Sequence, residues 1–318
     1  MNASPTSPPA SSASALIRAM PAVFVLIWST GFIVAKFGLP YAPPLTFLAI
    51  RYFCSIVCFL VWIAVARAKW PQGRVQWLHL AVTGVLMHAA YLGGVWVAVK
   101  AGMGSGLAAL IVGLQPVLTA VWVSWIGSTG SGDGAATVSK RQWIGLALGF
   151  GGLILVVSRK FGTGHEVTAL TLSATVVALV AITAGTLYQK RFVKPTDVRT
   201  ANVVQLMAAL VVTLPLALME PEAITWNASF IGAMAWSVLA LTLGGSSLLY
   251  LLIQSGAATS VTSLLYLVPP TTAAMAWVLF GELITTSTIV GTALTALGVS
   301  LVVRSAKTPV APATPSSP

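Results

Sequence analysis

The chain of 318 residues carries a formal net charge of +11, and 57% of its residues are hydrophobic while only 7% are charged. Soluble domains contain about 25% charged residues, so this composition cannot supply the polar surface that a soluble fold of this length needs. It excludes an ordinary globular enzyme, a disordered protein and a disulfide-bonded scaffold. The basic residues lie in short gaps between apolar runs, which disfavours nucleic-acid binding. The composition therefore predicts an integral membrane protein.

Ten apolar runs follow one another between two Ser-, Pro- and Ala-rich tails, residues 1–18 and 304–318, which we expect to be disordered. A helix needs about 20 apolar residues to cross a bilayer. The sequence thus predicts an all-α integral membrane protein with ten transmembrane helices. The runs cover residues 19–38, 44–66, 78–99, 103–127, 142–158, 169–189, 200–219, 230–254, 257–281 and 287–303.

The Lys and Arg residues in the gaps predict the orientation of these helices. Gaps on the side of the N-terminus hold twelve of them, whereas gaps on the other side hold only Lys100, Arg159 and Lys160. Because basic loops stay in the cytoplasm, both termini and both tails are predicted to be cytoplasmic. The excess of positive charge is then explained by orientation rather than by a binding site.

The two halves of the chain resemble each other. Shifting the sequence by 154 residues aligns them without a gap over residues 25–127 and places Pro116 on Pro270, and the fifth and tenth runs align at a shift of 146. This predicts two repeats, residues 19–158 and 169–303, of five helices each. Since five is odd, the repeats must enter the membrane in opposite directions, which is the inverted-repeat plan of secondary transporters.

Five segments make the chain resemble the drug/metabolite transporter superfamily, specifically its EamA-type ten-helix members, over about residues 19–303. The resemblance implies two EamA-like repeats, a cavity formed by the first, third and fourth helices with the sixth, eighth and ninth, and export or import of small metabolites, often amino acids. One departure is Ser128, where the family often has Glu. The segments are WSTGFIVAKFGL (28–39), PPLTFLAIRYF (43–53), SGLAALIVGLQPVLTAVW (105–122), AGTLYQKRF (184–192) and TSLLYLVPPTTAAMAWVLFGE (262–282).

Prolines interrupt the fourth and ninth runs at matching places. Pro116 lies in the fourth run, and Pro269 and Pro270 lie in the ninth. Proline removes a backbone hydrogen bond and kinks a helix. Their matched positions favour a paired hinge, and the alternative is a tolerated kink. Small residues also recur along one face of the fourth run, which predicts close helix packing, with the ninth run as one candidate partner.

Three charged residues lie within or at the ends of predicted spans. Arg51 is in the second span, and Lys36 and Glu282 lie at the outer ends of the first and ninth. A charge inside the membrane is costly and is usually paired or functional. We expect a charge pair or gate between Arg51 and Glu282, with Lys36 as the competing partner for Glu282. Separate snorkelling of each side chain to the interface is the alternative.

Polar and aromatic residues predicted to lie deep in the spans are candidates for a substrate cavity. His88 is the titratable group nearest to a predicted midplane, so it is the first residue to consider for proton coupling, with a packing histidine as the alternative. An amphipathic cavity needs apolar rings together with a few hydrogen-bonding groups. The candidate residues are Trp28, His88, Tyr91, Gln115, Tyr188, Ser246 and Tyr266.

The sequence has no G-x-x-x-x-G-K-[ST], HExxH or G-x-S-x-G pattern and no Cys/His cluster. We therefore expect no enzyme activity, catalytic residue, metal or cofactor. The prediction is a secondary transporter of the bacterial cytoplasmic (inner) membrane that moves a small amphipathic metabolite, an amino acid or related compound, by alternating access, with export favoured. The alternatives are an uncoupled facilitator or exchanger and, outside transport, an intramembrane enzyme or structural protein. Expected partners are the substrate and lipid, without nucleic acid, and a homodimer is left open.

Overall fold

The computed structural model describes residues 12–129, 140–160, 166–245, 248 and 267–305, and the elements in these ranges are all helices. In chain order they are α1 (Ser12–Gly38), α2 (Pro44–Ala66), α3 (Arg74–Gly84), a first π-helical segment (Val85–Ala90), α4 (Tyr91–Lys100), α5 (Ser105–Val112), α6 (Gln115–Thr129), α7 (Lys140–Lys160), α8 (Ala169–Phe192), α9 (Val198–Ala217), α10 (Ala228–Trp236), a second π-helical segment (Ser237–Gly244), α11 (Val268–Phe280) and α12 (Thr286–Ser305).

Among the described residues, six helical stretches are long and apolar enough to cross a membrane, and four more are apolar but shorter, at 10–17 residues. Each of the ten predicted runs overlaps one of these stretches. The chain is therefore an all-helical membrane protein. One boundary differs from expectation, because α1 begins at Ser12, inside the predicted disordered tail. The Ala- and Leu-containing segment that follows Ser12 has good helix formers.

Side chains that bond to the first free N–H groups fix where several helices begin. Thr168 accepts from Thr171 N in a reciprocal capping box at the start of α8, and Asn227 accepts from Phe230 N at the start of α10. The start of α2 has no local cap, and Glu220, which follows α9, accepts hydrogen bonds from the backbone N–H groups of its first turn instead. A distant carboxylate thus joins the two helices.

Helices α2 and α9 pack against each other in opposite directions. At one end, Glu220 after the C-terminus of α9 accepts from Thr46 N and Thr46 Oγ1 near the N-terminus of α2. At the other end, Thr200 Oγ1 near the start of α9 donates to the carbonyl of Lys69 beyond the end of α2. These helices are the second of each half under the 154-residue shift.

Helices α7 and α12, the last of each half, also pack in opposite directions and approach each other at glycines. A Cβ atom added at Gly145 would lie 2.5 Å from the carbonyl oxygen of Gly298, and one at Gly152 would collide with the carbonyl of Gly291. Only glycine at these positions permits the close approach, since real Cβ contacts are longer.

The small-residue face of the fourth predicted span packs on the ninth, so that expectation is confirmed. A Cβ atom added at Gly106 in α5 would lie 3.2 Å from the Cα of Ala273 in α11, and one at Gly113 would lie 2.7 Å from the Cγ of Pro269. The two contacts run in opposite order along the chain, so α5 and α11 are antiparallel.

Adjacent glycines in α7 allow a test of the glycine contact with a matched control. An added Cβ at Gly152 would lie 2.6 Å from Thr295 Oγ1, whereas one at Gly151 would meet nothing within 4 Å. We expect Gly152→Ala to lower the thermal midpoint of the detergent-purified protein by several degrees because of overpacking. Gly151→Ala should leave it equal or higher, since Ala favours helix. Equal midpoints in both variants would show that the glycine contact is not needed.

Candidate functional site

A cavity of about 70 Å³ lies between helices of both halves of the chain. Trp28 is ten residues before the end of α1 and Tyr91 is nine before the end of α4, which places the cavity roughly 15 Å from one end of the bundle. That depth is near the middle of a bilayer core about 30 Å thick. The lining residues are Trp28, Phe32, Tyr91, Ala109, Val112, Gly113, Gln115, Pro116, Ile182 and Val268.

The lining residues and the volume of the cavity indicate which ligands it could bind. Apolar and aromatic side chains dominate its wall, and Gln115 and Tyr91 add polar groups. Such mixed linings are typical of small-molecule sites. Ligand pockets usually measure about 300–1,000 Å³, so a metabolite would require the surrounding helices to separate.

The wall of the cavity includes an interruption of the fourth span. α5 ends at Val112 and α6 begins at Gln115, with Pro116 as its second residue. The Gln115 side chain connects this break to α8, because its Nε2 donates to Thr186 Oγ1 at 2.9 Å. The proline therefore starts a new helix at a break rather than bending a continuous one.

The ninth span has a helix start at the matching place. α11 begins at Val268 with prolines in its first turn, and Pro269 faces Gly113 at the break in the fourth span. Pro270 lines a separate apolar groove between α11 and α12. Pro269 of the ninth span therefore contacts the break in the fourth span at Gly113, which lines the cavity.

Arg51 is buried, with 8% of its surface exposed, and it bonds to the second π-helical segment. Its Nε and Nη2 both donate to Thr242 Oγ1, each at 3.2 Å. The Thr242 hydroxyl in turn donates to the carbonyl of Ser237 five residues earlier, a bond that follows the spacing of the π helix. The expected Arg51–Glu282 pair is thus replaced by an Arg51–Thr242 contact, because Glu282 has other partners.

Glu282 joins three helices at one end of the bundle. Its Oε1 accepts from Lys36 Nζ of α1 at 2.6 Å and from Ser105 N of α5 at 3.0 Å, while Oε2 accepts from Gly106 N at 3.5 Å. A carboxylate at the first turn of a helix also interacts favourably with its dipole. The competing partner named from the sequence, Lys36, is therefore the one that Glu282 contacts.

The other glutamates lie at the same end, which we call the glutamate end. Glu166 pairs with Lys160 at 2.5 Å, Glu222 pairs with Lys100 at 2.5 Å, and Glu220 caps α2. Gly104 lies beside both Glu166 and Glu282. The opposite end contains Asp197, whose pKa is held below its usual range first by the side-chain hydrogen bond from Arg199.

Other predicted site residues lie apart from the cavity or outside the described residues. Tyr188 is four residues from the end of α8, one turn, and its hydroxyl bonds to His79 Nδ1 at 2.8 Å, so it is not brought to Trp28 and Tyr91. His88 lies in the first π-helical segment with its ring edge toward Tyr52. Ser246 and Tyr266 lie outside the described residues.

Sequence reasoning missed three residues of this region. Phe32 lines the cavity, Thr186 holds Gln115, and Thr242 holds Arg51. The 154-residue shift carried a signal for Thr242, because it places this polar residue on the candidate His88. It carried none for Phe32 and Thr186, which match each other and not a candidate.

These helices and the cavity between them define a polytopic membrane protein with a central, largely apolar chamber. The sequence pattern of the EamA-like transporter family matches the chain twice, at residues 13–158 and 169–304. The chain belongs to this family.

Individual relatives of the chain are also described as transporters. The inner membrane transporter YedA of Escherichia coli K12, described as uncharacterized, is 26% identical over 68% of this chain, which spans 66% of that relative's length. The transporter YvbV of Bacillus subtilis 168, also described as uncharacterized, is 27% identical over 88% of this chain and 89% of its own. A protein of known crystal structure covers 90% of this chain and 97% of its own with a TM-score of 0.62 and 15% identity, which supports the fold alone.

The Lys36–Glu282 pair should stabilise the glutamate end. We expect Glu282→Gln to lower the thermal midpoint of the purified protein by several degrees, because Lys36 and the first turn of α5 lose a charged acceptor. Adding Lys36→Met should recover part of this loss. Glu222→Gln is the matched control, since that side chain is 56% exposed against 15% for Glu282 and exposed pairs contribute little. Equal shifts in the two single variants would contradict a special role for Glu282.

Proposed function

We propose that the protein is a secondary transporter of the bacterial inner membrane that moves a small amphipathic metabolite, with export favoured, through the central cavity. The observation that carries the proposal is a mid-depth cavity lined by α1, α4, α5, α6, α8 and α11, helices drawn from both halves of a chain of the EamA-like transporter family. A relative from Salmonella typhimurium, 24% identical over 86% of this chain and 90% of its own, is described as a probable amino-acid metabolite efflux pump. Its description supports a metabolite as the solute.

The transport mechanism that we propose is alternating access between two inverted repeats, residues 19–158 and 169–303, with both termini in the cytoplasm. Antiparallel packing of α2 on α9 and of α7 on α12 supports the inversion, because helices matched by the repeat run in opposite directions. The excess of Lys and Arg on the side of the termini supports the orientation.

Opening and closing would use the two features that flank the cavity. The paired breaks at Pro116 and Pro269–Pro270 act as hinges, and the Lys36–Glu282 pair acts as a gate at the glutamate end. Separating α1 from α11 at that end breaks the 2.6 Å contact between Lys36 Nζ and Glu282 Oε1. His88 is the residue that we propose to test for proton coupling.

Solute counterflow in proteoliposomes tests the function. Vesicles with purified protein are loaded with one unlabelled metabolite at a time, from a panel of amino acids and short organic acids, and diluted into the same labelled compound. We expect transient accumulation of label for at least one solute, since exchange through one site concentrates it, and none in protein-free vesicles. Absence of counterflow for the whole panel, with correctly inserted protein, would contradict the proposal.

The hinge role makes a prediction for the two prolines. We expect Pro116→Ala and Pro270→Ala each to lower the counterflow rate severalfold while leaving the amount of inserted protein unchanged, because each restores a backbone N–H and stiffens the break. Pro215→Ala is the matched control, as Pro215 lies inside α9 and is exposed. Wild-type rates in both hinge variants would leave only a tolerated kink.

A further inference from the structure

Among the described residues, Arg51 is a buried cation that uses only part of its hydrogen-bonding capacity. A guanidinium has five N–H donors, and Arg51 uses two of them on a single acceptor, Thr242 Oγ1. The described residues offer no hydrogen-bond acceptor to the remaining three N–H groups. Arg51 follows Pro44, the start of α2, by seven residues, which places it roughly 10 Å inside the bundle.

The acidic residues are engaged elsewhere. In the described part of the chain, each of the five carboxylates has another partner, so none neutralises Arg51; they are Glu166, Asp197, Glu220, Glu222 and Glu282. The sixth acidic residue, Asp133, lies outside the described residues. A buried cation without a counter-ion is unfavourable, so an anion bound there would be stabilised.

Several polar groups near Arg51 also lack hydrogen-bond partners among the described residues. Tyr91 lies within electrostatic range of the guanidinium, and its hydroxyl has no hydrogen bond with the described residues. The hydroxyls of Ser55, one turn along α2, and of Ser237, whose carbonyl binds Thr242, are buried and have no partner in the described part of the chain. Buried groups of this kind are rare in proteins and call for an explanation. A site that binds a polar ligand provides one.

The other half of the chain shows that the fold does not need the charge. The repeat mate of Arg51 is Gln205, and the mate of Thr242 is His88. A neutral amide therefore stands at the position that corresponds to Arg51, in the matching helix α9 of the second half.

The cavity and Arg51 have Tyr91 as a common neighbour. Tyr91 is in the cavity wall and is also within electrostatic range of Arg51. Trp28, Phe32 and Ile182 give the wall apolar surface, Gln115 adds an amide, and no acidic residue is among those that line it. The region therefore offers a cation and a hydroxyl beside an apolar surface, but no carboxylate for an ammonium group.

We propose that Arg51, with the Tyr91 hydroxyl, binds the carboxylate of the solute, and that the solute is a monoanionic carboxylate with an apolar body. The proposal rests on the proposed transport function and specifies the solute class. The carboxylate accepts two charge-assisted hydrogen bonds from the free side of the guanidinium, while the apolar body lies against Trp28 and Phe32. A zwitterion binds more weakly, because its ammonium loses water without gaining an anionic partner.

Calorimetric titration of the detergent-purified protein tests the proposal with three probes of similar shape. They are 4-methylpentanoate, its neutral isostere 4-methylpentanamide, and the zwitterion leucine. We expect saturable binding of the carboxylate and at least tenfold weaker binding of the amide and of leucine. Equal affinity for the carboxylate and the amide, or for the carboxylate and leucine, would overturn the proposal.

Variants connect the binding to Arg51. We expect Arg51→Gln to fold, since it reproduces Gln205, and to lose tenfold or more in affinity for 4-methylpentanoate, while Arg51→Lys keeps part of it. Arg74→Gln removes one exposed charge from α3 and should leave the affinity unchanged. Unchanged affinity in a folded Arg51→Gln, confirmed by size-exclusion chromatography and its thermal midpoint, would overturn the assignment.

Failure of this inference is distinguishable from failure of the transport proposal. Counterflow of a neutral or zwitterionic metabolite that Arg51→Gln leaves unaltered would overturn the role of Arg51 and leave the transporter intact. Absence of counterflow for every solute would overturn transport itself. Binding is measured in detergent because organic acids also cross bilayers unaided in their neutral form.

Discussion

Hydrocarbon offers no hydrogen bonds, so each backbone group within the membrane must find its partner inside the protein. The two π-helical segments interrupt the regular α-helical hydrogen bonding in the middle of the third and eighth spans. Side-chain hydroxyls donate hydrogen bonds to a carbonyl in each segment. Tyr52 donates to the carbonyl of His88, and Thr242 donates to that of Ser237. Arg51 then binds Thr242. The polar groups at the centre of the bundle are therefore arranged around these two irregular turns.

The distribution of charge follows from the same cost. The carboxylates of the described residues lie at the ends of helices, where they bind cations or the free N–H groups of a first turn, as Glu282 does with Lys36 and α5. These contacts tie the ends of helices that are distant in the sequence. Arg51 differs, because it is buried inside the bundle and bonds to Thr242 rather than to one of these carboxylates.

Glycines allow close contacts between helices of the two halves, and one of these contacts lies at a helix break. Glycines let α7 approach α12 and let α5 approach α11, and Gly113 receives the ring of Pro269 where the fourth span is broken. Dispersion contacts at such faces replace the hydrophobic driving force that lipid does not supply. The missing side chain of Gly113 leaves the space that the Pro269 ring occupies at this break.

The amino-acid sequence alone predicted an integral membrane protein and the order of its apolar segments, and three of its seven cavity candidates, Trp28, Tyr91 and Gln115, line the cavity. Apolar length and repeat spacing are local properties that can be counted. The tertiary structure was needed to show that Glu282 contacts Lys36 rather than Arg51, and that the Tyr188 hydroxyl binds His79. Those outcomes depend on helix rotation and neighbours, which the packing of distant segments sets and no single segment encodes.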